Sequence, residues 1–542
     1  MKSNYRNSDL AAYQAGLGNQ ITDKKPVPDF VFSDPQEASV KVMVDGADPV
    51  TLIATDPIRK TLDGTCYKQI ANTAQAPGID KVVISPDFHM GYGCPVGSAF
   101  SSRSHIYPCA VGPDISCSMA FMSVANMTAA DFADHSVRRT LIEAIGDRIP
   151  SGPGAPEAPK GRRFDSGLLR DVAIQGATPD ILSRLGIDPE WGNRLEDRSR
   201  GNPERLAERF HYLSEAIGQR WTNKLKQIGS LGGGNHFLSQ EQVSVTDPEA
   251  AKHFGLTDGA LGFLTHCGSR GFGFTLTESK DKPRKDRNPV VGGTITAGFS
   301  GQFEKLARLF EKRGWEFPGG DRLMVFAEVG TKEGDEYLDD MYLGANFAIV
   351  NHLLILSLVE EALHSVHMGA STADCRFIYH IAHNIIREET DIETGEKVFV
   401  HRKGTTRAFP GSHPDLAGAK YEGVGHPILL PGNCEAGSAI MVGAPGAKQT
   451  LYSVNHGAGR CWGRAQAKRE LAGIDIGKRM TEMDILSNCR TYPLDEAAAS
   501  YKDFNEVLKS VEKAGLATMV ARLVPKGGFV FKDNDDSAEG KA

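Results

Sequence analysis

The sequence lacks the cysteine, repeat and leader patterns that would place it in several common protein classes. Its nine cysteines are an odd number and none lies in CxxC spacing, so we expect no disulfide framework and a reducing, cytoplasmic environment. The opening residues, MKSNYRNSDLAAYQAG, have no apolar core of the kind that a secretory signal needs. No repeat of fixed period and no heptad pattern occurs, which argues against solenoids and coiled coils.

Motifs for nucleotide-binding loops and an excess of positive charge are absent as well. Neither GxxxxGK(S/T) nor GxGxxG occurs, so a P-loop and a Rossmann fold have no local support. Lys and Arg number 61 against 68 Asp and Glu, which gives a net charge of −7, and any contact with nucleic acid therefore needs a local basic surface. The most apolar long run, 345–366, includes Asn346, His352 and Glu360, which predicts a buried helix and no membrane span.

The composition is that of a soluble globular enzyme, with 40% hydrophobic and 24% charged residues. The polar residues 1–45 predict a loosely ordered leader, residues 46–533 one large domain, and residues 534–542 a disordered tail. A charged stretch at about 128–228 has apolar residues at helical spacing, which predicts a helical insertion in the domain. Further helices are expected at 302–313, 334–366 and near 502–514.

Short strand-like runs that end in His, Asp, Asn or Arg among glycines recur along the chain. Glycine lets backbone N–H groups approach a phosphate closely, and a neighbouring Arg or Lys supplies positive charge, so these segments favour phosphate binding. They are PDFHMGYG (86–93), VGPDISCSM (111–119), GSLGGGNHF (229–237), THCGSRGFG (265–273), HIAHNIIREE (380–389), HRKGTTRAFPG (401–411) and VNHGAGR (454–460).

Asp114 and Cys117 are candidate metal ligands, because a carboxylate and a thiolate three residues apart can face one cation. Taken alone, such a pair is chance in most proteins, and a single histidine is more often structural than ligating. His456 lies in NHGAGR, where the glycines leave room for an incoming phosphate. The segment RCWGRAQAKRE predicts a helix that begins at Arg460 and has basic residues on one face. Exposure of that face to solvent would explain these basic residues equally well.

Seven segments resemble, in the same order, the motifs of RtcB-type RNA ligases: PDFHMGYGCPVG, GPDISC, GGGNHF, HCGSRGFG, AHNIIREE, HRKGTTRAFPG and NHGAGR. The block DEAAASYKDFNEVLKSVEKAGLATMVARLVPKGGFVFK is similar to that family as well. The resemblance covers roughly residues 50–533 without the insertion near 150–200. It implies an α+β fold, with a single large domain of packed mixed β-sheets around a deep polar cleft and with peripheral helices.

The resemblance implies a ligase that uses GTP and two manganese ions (Mn2+) to join RNA 3′-phosphate or 2′,3′-cyclic phosphate ends to 5′-hydroxyl ends. In that family a histidine takes GMP from GTP as a phosphoramidate and transfers it to the RNA 3′-phosphate, and the 5′-hydroxyl then displaces GMP. Thiolate and imidazole ligands alone would favour zinc, so manganese follows from the resemblance only. The implied partners are RNA with those ends, GTP and an activating protein. The resemblance also implies a cytoplasmic monomer that does not contact a membrane.

The resemblance also implies roles for individual residues. His456 matches the guanylylated histidine, and Asp87, Lys403 and Arg460 match further catalytic positions. One manganese site matches Asp114, Cys117 and His236, and the other matches Cys117, His266 and His383, so that Cys117 bridges the two. The positions that bind nucleotide or phosphate match Asn235, Arg270, Asn384, Ser438, Ala458, Gly459 and Lys532.

The sequence departs from the family pattern at a few positions. Ser239 stands where the family commonly has a glutamate at the nucleotide pocket, and Glu241 lies two residues further on. The other departures are Asn433 and Glu435 in PGNCEAGSA, His352 in place of an arginine, and Ser118 and Ala120 after the bridging cysteine. Since the ligands and the nucleophile are intact, we expect an active centre with a retuned nucleotide or RNA preference. The alternatives are a metal-dependent nucleotidyltransferase or phosphoesterase on another substrate, or an inactive RNA-binding relative.

Overall fold

Two large β-sheets and one long buried helix organise the chain. The computed structural model describes residues 37–152, 159, 162–277, 301–366 and 373–533. The strands are β1 (Ser39–Val42), β2 (Val50–Ile53), β3 (Ile79–His89), β4 (Val96–Ser102), β5 (His105–Ile106), β6 (Ser118–Thr128), β7 (Phe237–Val245), β8 (Ala260–Cys267), β9 (Ala327–Glu328), β10 (Cys375–Ala382), β11 (Asn384–Thr390), β12 (Lys397–Lys403), β13 (Thr405–Arg407), β14 (Pro427–Asn433), β15 (Gly437–Gly443), β16 (Ser453–Asn455), β17 (Leu486–Ser487) and β18 (Ala517–Phe531). The helices are α1 (Asp56–Arg59), α2 (Gly64–Ala74), α3 (His135–Arg148), α4 (Ser166–Gln175), α5 (Pro179–Leu185), α6 (Pro203–Ile217), α7 (Gln219–Thr222), α8 (Pro248–Phe254), α9 (Arg270–Thr277), α10 (Gly301–Arg313), α11 (Lys332–Val366), α12 (Arg464–Glu470), α13 (Ile476–Glu482) and α14 (Phe504–Lys513).

The first sheet has the strand order β1-β2-β3-β4-β12-β11. Strands β2 and β3 pair in parallel, and the other neighbours are antiparallel. In β3 the β-branched residues Val82, Val83 and Ile84 are buried, as expected for a strand inside a sheet. The strand continues to His89, so it carries Asp87 to the polar end of the sheet.

The second sheet has the strand order β10-β6-β8-β7-β18-β15-β14, and β17 pairs in parallel with β18. The first residue of β6, Ser118, pairs both with Cys267 at the end of β8 and with Ala382 at the end of β10. Phe237 at the start of β7 pairs with His266. Because antiparallel partners run in opposite directions, the starts of β6 and β7 and the ends of β8 and β10 meet at one edge of the sheet.

Helix α11 is the longest element of the core, with 35 residues. It packs against α3, α4, α6 and α9, and nearly all residues from 341 to 358 are buried. Its polar side chains bind backbone groups: Asn346 accepts from the N–H of Arg200 at 2.7 Å, and Asn351 from that of Gly229 at 2.8 Å. The helix is long and apolar enough to cross a bilayer, but 94% of its apolar window is buried inside the protein, as in the core helix of a soluble protein. The prediction of a buried helix is confirmed.

The other predicted helices are confirmed as well. Those at 302–313 and 502–514 are α10 and α14, and the apolar spacing within 206–217 is that of α6. Between β6 and β7 the chain runs through α3 to α7, so this stretch is helical as predicted. Its status as an insertion and the boundaries of the domain stay predictions, and the tail at 534–542 lies outside the described residues. The mixed sheets with helices around them confirm the α+β class.

Two local features differ from the expectations. Strand β1 lies inside the predicted leader, because Val40 and Val42 alternate with polar residues and are buried in the pairing with β2; residues 1–36 lie outside the described residues. The helix expected to begin at Arg460 begins only at Arg464. The reason is that the backbone of Arg460 forms an isolated bridge with Tyr501, which keeps this part of the chain extended.

Candidate active site

A cavity of about 940 Å³ lies where the polar ends of the strands of both sheets come together. Most of the residues that the resemblance implies line it: Asp114, Cys117, Asn235, His266, His383, Asn384, Lys403, Ser438, His456, Ala458, Gly459, Arg460 and Lys532. Asp87, His236 and Arg270 are not among the lining residues. The folded chain therefore gathers most of the predicted site around one space, which is large enough for a nucleotide.

Two groups of possible metal ligands share the thiol of Cys117. The ligand atoms of Cys117, His266 and His383 lie within 4.8 Å of one another, and those of Asp114, Cys117 and His236 do so too. The Sγ of Cys117 is 3.1 Å from Nε2 of His266 and 3.5 Å from Nε2 of His236. Residues that are far apart in the sequence thus form two adjoining groups around one sulfur atom.

Main-chain packing and hydrogen bonds hold these side chains in place. The N–H of His383 donates to the carbonyl of Cys117 at 2.9 Å, which ties the end of β10 to the start of β6. Oδ2 of Asp114 lies 2.8 Å from Nε2 of His236. At Gly268 a Cβ atom would lie 2.3 Å from Oδ1 of Asp114, so only glycine allows the turn after β8 to approach this carboxylate. The ligand geometry is therefore set by the backbone and not only by the side chains.

The electrostatics of the cluster suit a divalent metal. Burial, with the neighbouring imidazoles, lowers the pKa of His266 and of His383 well below the ordinary value, so both keep a lone pair at neutral pH. Burial opposes protonation of His236, but the Asp114 carboxylate outweighs it and raises the pKa of His236 to about 9. Burial and Asp114 also raise the pKa of the Cys117 thiol, so a bound dication must displace its proton.

A buried ring nitrogen supports the same interpretation. Nδ1 of His383 has no hydrogen-bond partner in the part of the chain that the structure describes. Such a nitrogen is costly unless something binds it, and a metal ion is a suitable partner. One carboxylate, one thiol and three imidazoles fit a divalent transition metal in each of two adjoining positions.

His456 lies beside this cluster. Its ring centroid is 4.4 Å from that of His383 and 6.4 Å from that of His266. Its Nδ1 is 2.8 Å from Oδ2 of Asp87 and 2.8 Å from the carbonyl oxygen of Gly404. Because both partners are acceptors, Nδ1 carries the hydrogen, and in the neutral tautomer the lone pair that a nucleophile needs is on Nε2. The ring is 14% exposed and lines the cavity, so a ligand can reach it.

The glycines beside His456 have a packing role that the sequence did not indicate. Gly459 has a φ of 72°, and a Cβ atom there would lie 2.2 Å from the carbonyl oxygen of Asp87. A side chain at this position would therefore push β3 away and break the contact between Asp87 and His456. The carboxylate of Asp87 is fully buried, and its Oδ1 has no hydrogen-bond partner among the described residues.

The cationic residues expected around phosphates are held by protein groups. Lys403 donates its Nζ proton to the carbonyl of Cys109. Arg460 and Lys532 lie 3.4 and 3.5 Å from the carboxylate of Glu496. Arg464 lies 2.6 Å from the same carboxylate. Burial opposes ionisation of Glu496, but these three cationic neighbours outweigh it and lower its pKa to about 2. The sequence prediction missed Glu496, although the acidic pair at the start of DEAAASYKDF was a signal for it.

Two other residues that the resemblance assigns to nucleotide or phosphate binding form hydrogen bonds with protein groups. Arg270 donates to Oγ of Ser230 at 3.0 Å and to the carbonyl of Gly152 at 2.6 Å, and it is not among the residues that line the cavity. Oδ1 of Asn384 accepts from the N–H of Gly404 at 3.0 Å. Asn384 thus supports the loop whose carbonyl binds His456, while Arg270 supports the glycine-rich loop before β7.

The sequence prediction did not include Glu241 among the site residues. It lies two residues beyond Ser239 on β7 and lines the cavity with it, since alternate residues of a strand share a face. Its Oε1 accepts from Oγ of Ser239 at 2.6 Å and from Oγ of Ser438 at 3.0 Å, and its Oε2 is buried with no partner among the described residues. Burial raises the pKa of Glu241 to about 7. The two-residue period of a strand was the signal that could have included it.

Comparisons with known proteins cover the same elements. The family model "tRNA-splicing ligase RtcB" matches residues 69–530. The chain is 32% identical to the tRNA-splicing ligase RtcB of Thermococcus kodakarensis, over 87% of this chain and 92% of that protein. It is 30% identical to the protein of the same description from Archaeoglobus fulgidus, over 93% and 98%, and 30% identical to the RNA-splicing ligase RtcB of Mycobacterium tuberculosis, over 85% and 99%. The matched residues include most strands of both sheets, all of α11 and most of the residues that line the cavity, and the chain therefore belongs to the RtcB family of RNA-splicing ligases.

Proposed function

We propose that the protein is a GTP- and manganese-dependent RNA ligase that joins 3′-phosphate or 2′,3′-cyclic phosphate ends to 5′-hydroxyl ends. The observation that carries this proposal is the position of His456, whose Nδ1 binds Asp87 and whose ring lies beside two adjoining groups of metal ligands in a nucleotide-sized cavity. Family membership supports the same reaction. None of the nine cysteines, all of which lie among the described residues, is in a disulfide, which suits a protein of the reducing cytoplasm.

His456 acts as the nucleophile in this proposal. Its Nε2 attacks the α-phosphorus of GTP, an N–P bond forms and pyrophosphate leaves. A 2′,3′-cyclic end is first opened by water, which breaks the P–O2′ bond and leaves a 3′-phosphate. An oxygen of the RNA 3′-phosphate then attacks the phosphorus of the GMP on the histidine, the N–P bond breaks, and an RNA-3′-pp-5′-G end results. Finally the 5′-hydroxyl oxygen attacks the 3′-phosphorus and GMP leaves. Asp87 and Gly404 hold the reactive tautomer of His456 throughout, because their acceptor atoms both bind Nδ1.

The metal ligands are proposed as two sites. Asp114, Cys117 and His236 would hold one ion, and Cys117, His266 and His383 would hold the other. When bound, divalent ions neutralise the phosphates and lower the pKa of an attacking oxygen. The donor set would also suit zinc, so the choice of manganese rests on the family resemblance.

Covalent labelling tests the proposal. The protein is incubated with Mn²⁺ and α-labelled GTP, denatured, and analysed for bound label. The wild type is expected to keep one nucleotide, and His456→Ala none. The matched control is His211→Ala on α6, whose side chain is 76% exposed, and it should label as the wild type does. The labelled protein is then given an RNA pair with 2′,3′-cyclic phosphate and 5′-hydroxyl ends, and joining is read from a gel.

The alternatives predict different results in the same assay. Label from ATP in place of GTP would show that Glu241 and Ser239 have changed the nucleotide preference. Release of phosphate from RNA without joining would favour a phosphoesterase. A wild type that binds RNA but never takes label would identify an inactive relative and overturn the proposal.

A further inference from the structure

Two large hydrophobic side chains stand exposed at the rim of the cavity. Met90 is 45% exposed and Tyr92 is 39% exposed, and both line the cavity. Other exposed hydrophobic side chains among the described residues, such as Tyr212 and Phe274, do not line it. An exposed aromatic ring at the mouth of a polar cavity is the arrangement by which proteins stack unpaired nucleobases.

The loop that carries Tyr92 is held rigidly. Nε2 of Gln69 on α2 donates to the carbonyl of Gly91 at 2.7 Å, and the N–H of Gly91 donates to Oε1 of the same Gln69 at 3.0 Å. The N–H of Cys94 donates to the carbonyl of Tyr92 at 3.0 Å. Because these bonds fix the backbone on both sides of Tyr92, little conformational entropy would be lost when a ligand stacks on its ring.

The ring also lies next to the residues that surround the reactive histidine. Nζ of Lys403 is 5.9 Å from the centroid of the Tyr92 ring, and the next residue along the chain, Gly404, accepts from Nδ1 of His456. Tyr92, Lys403 and His456 therefore line the same cavity. An RNA end whose phosphate approached His456 would bring its base toward the rim.

We infer that Tyr92 is the stacking platform for a nucleobase at the RNA end that the enzyme acts on. This inference rests on the proposed function for the identity of the ligand, but not for its test. Stacking needs the aromatic ring and not the hydroxyl, and it accepts any base, since every base has a π face. The site would thus bind the terminal base of the RNA by stacking, without a preference for its sequence.

The test measures RNA binding directly, so it does not depend on ligation. Fluorescence anisotropy gives the Kd for a single-stranded RNA with a 5′-hydroxyl and a 3′-phosphate. Tyr92→Ala is expected to weaken binding roughly 5- to 150-fold, which corresponds to one stacked base. Tyr92→Phe keeps the ring and should bind as the wild type does. Tyr212→Ala, which removes a tyrosine that is 58% exposed on α6, is the matched control and should also bind normally.

A second arm uses RNA that lacks one base. RNA that is abasic at the 3′-phosphate end or at the 5′-hydroxyl end should lose affinity for the wild type in one of the two cases. The same abasic RNA should cost Tyr92→Ala nothing further, because the ring and the base act as one contact. A circular dichroism spectrum and a urea unfolding midpoint that match those of the wild type show that the variant is folded, and this control needs neither GTP nor ligation.

The outcomes separate this inference from the proposed function. Unchanged RNA binding by Tyr92→Ala, or wild-type binding that is indifferent to both abasic ends, overturns the stacking platform even if the wild type joins RNA. Conversely, a wild type without adduct whose RNA binding still depends on the ring of Tyr92 overturns the ligase and leaves the platform standing. A wild type that binds no RNA overturns both.

Discussion

Replacing Glu241 by glutamine should stabilise the protein at alkaline pH while it weakens nucleotide loading. The residue is 4% exposed, and burial raises the pKa of its carboxyl from 4.5 to about 7. Between these two values the folded state holds a proton that the unfolded chain has released. The stability of the wild type therefore falls as the pH rises through this window, and the whole loss is present above the folded pKa.

The size of the effect follows from the two pKa values. Raising the pKa of Glu241 from 4.5 to about 7 corresponds to about 3 kcal/mol in the free energy of unfolding. Glutamine is neutral at every pH and its side-chain oxygen can accept from the same two serine hydroxyls, so it avoids this loss. We expect the variant and the wild type to be similar near pH 4.5 and the variant to be more stable by up to about 3 kcal/mol at about pH 8.

Urea unfolding at about pH 5 and about pH 8, followed by circular dichroism, measures the difference. Glu208→Gln on the exposed face of α6 is the matched control and should show no change between the two pH values. If Glu241→Gln gains nothing at about pH 8, or gains equally at both pH values, folding does not raise the pKa of this carboxyl and the reasoning is refuted.

The functional part of this prediction rests on the proposed function. A carboxylate in the cavity can accept two N–H groups of a guanine edge, whereas glutamine presents one acceptor and one donor. We expect adduct formation with GTP at about pH 8 to slow roughly 10- to 100-fold in Glu241→Gln, the scale of a hydrogen bond to a charged group. Unchanged loading would show that the nucleotide does not contact Glu241.

Three further predictions use single substitutions. Cys117→Ala should lose ligation and should bind less manganese per chain, as measured by equilibrium dialysis. The control Cys375→Ala should change neither, and full metal content in Cys117→Ala would rule out the shared ligand. Asp87→Asn should slow adduct formation roughly 100-fold or more with RNA binding unchanged, because the tautomer of the reactive histidine is no longer held; a normal single-turnover rate would contradict this role. Glu196→Ala should lower the free energy of unfolding in urea by about 3–5 kcal/mol, because the buried carboxylate pairs with arginines and accepts from the N–H of Ala382. A loss below about 1 kcal/mol would contradict the pairing.

Much of the local structure could be predicted from the sequence. Helices α6, α10, α11 and α14 follow from apolar residues at helical spacing, and this pattern depends on neighbours within a few turns. The start of α12 could not be predicted, because Arg460 is kept extended by a partner, Tyr501, that lies far along the chain. Strand β1 is a different case, because strand-like signals begin near Val40 in the sequence and pairing with β2 completes the strand.

The sequence by itself determined which chemical groups are available: a thiol, carboxylates, imidazoles and a histidine among glycines, in an order similar to that of one family. Only the tertiary structure decided that Cys117, His266 and His383 lie within 4.8 Å of one another and that Asp87 stands behind His456. The physical reason is that hydrogen-bonded strand registers and buried packing, not distance along the chain, bring these atoms together. The same packing holds Arg270 against Ser230 and Gly152 and brings Glu241 into the cavity.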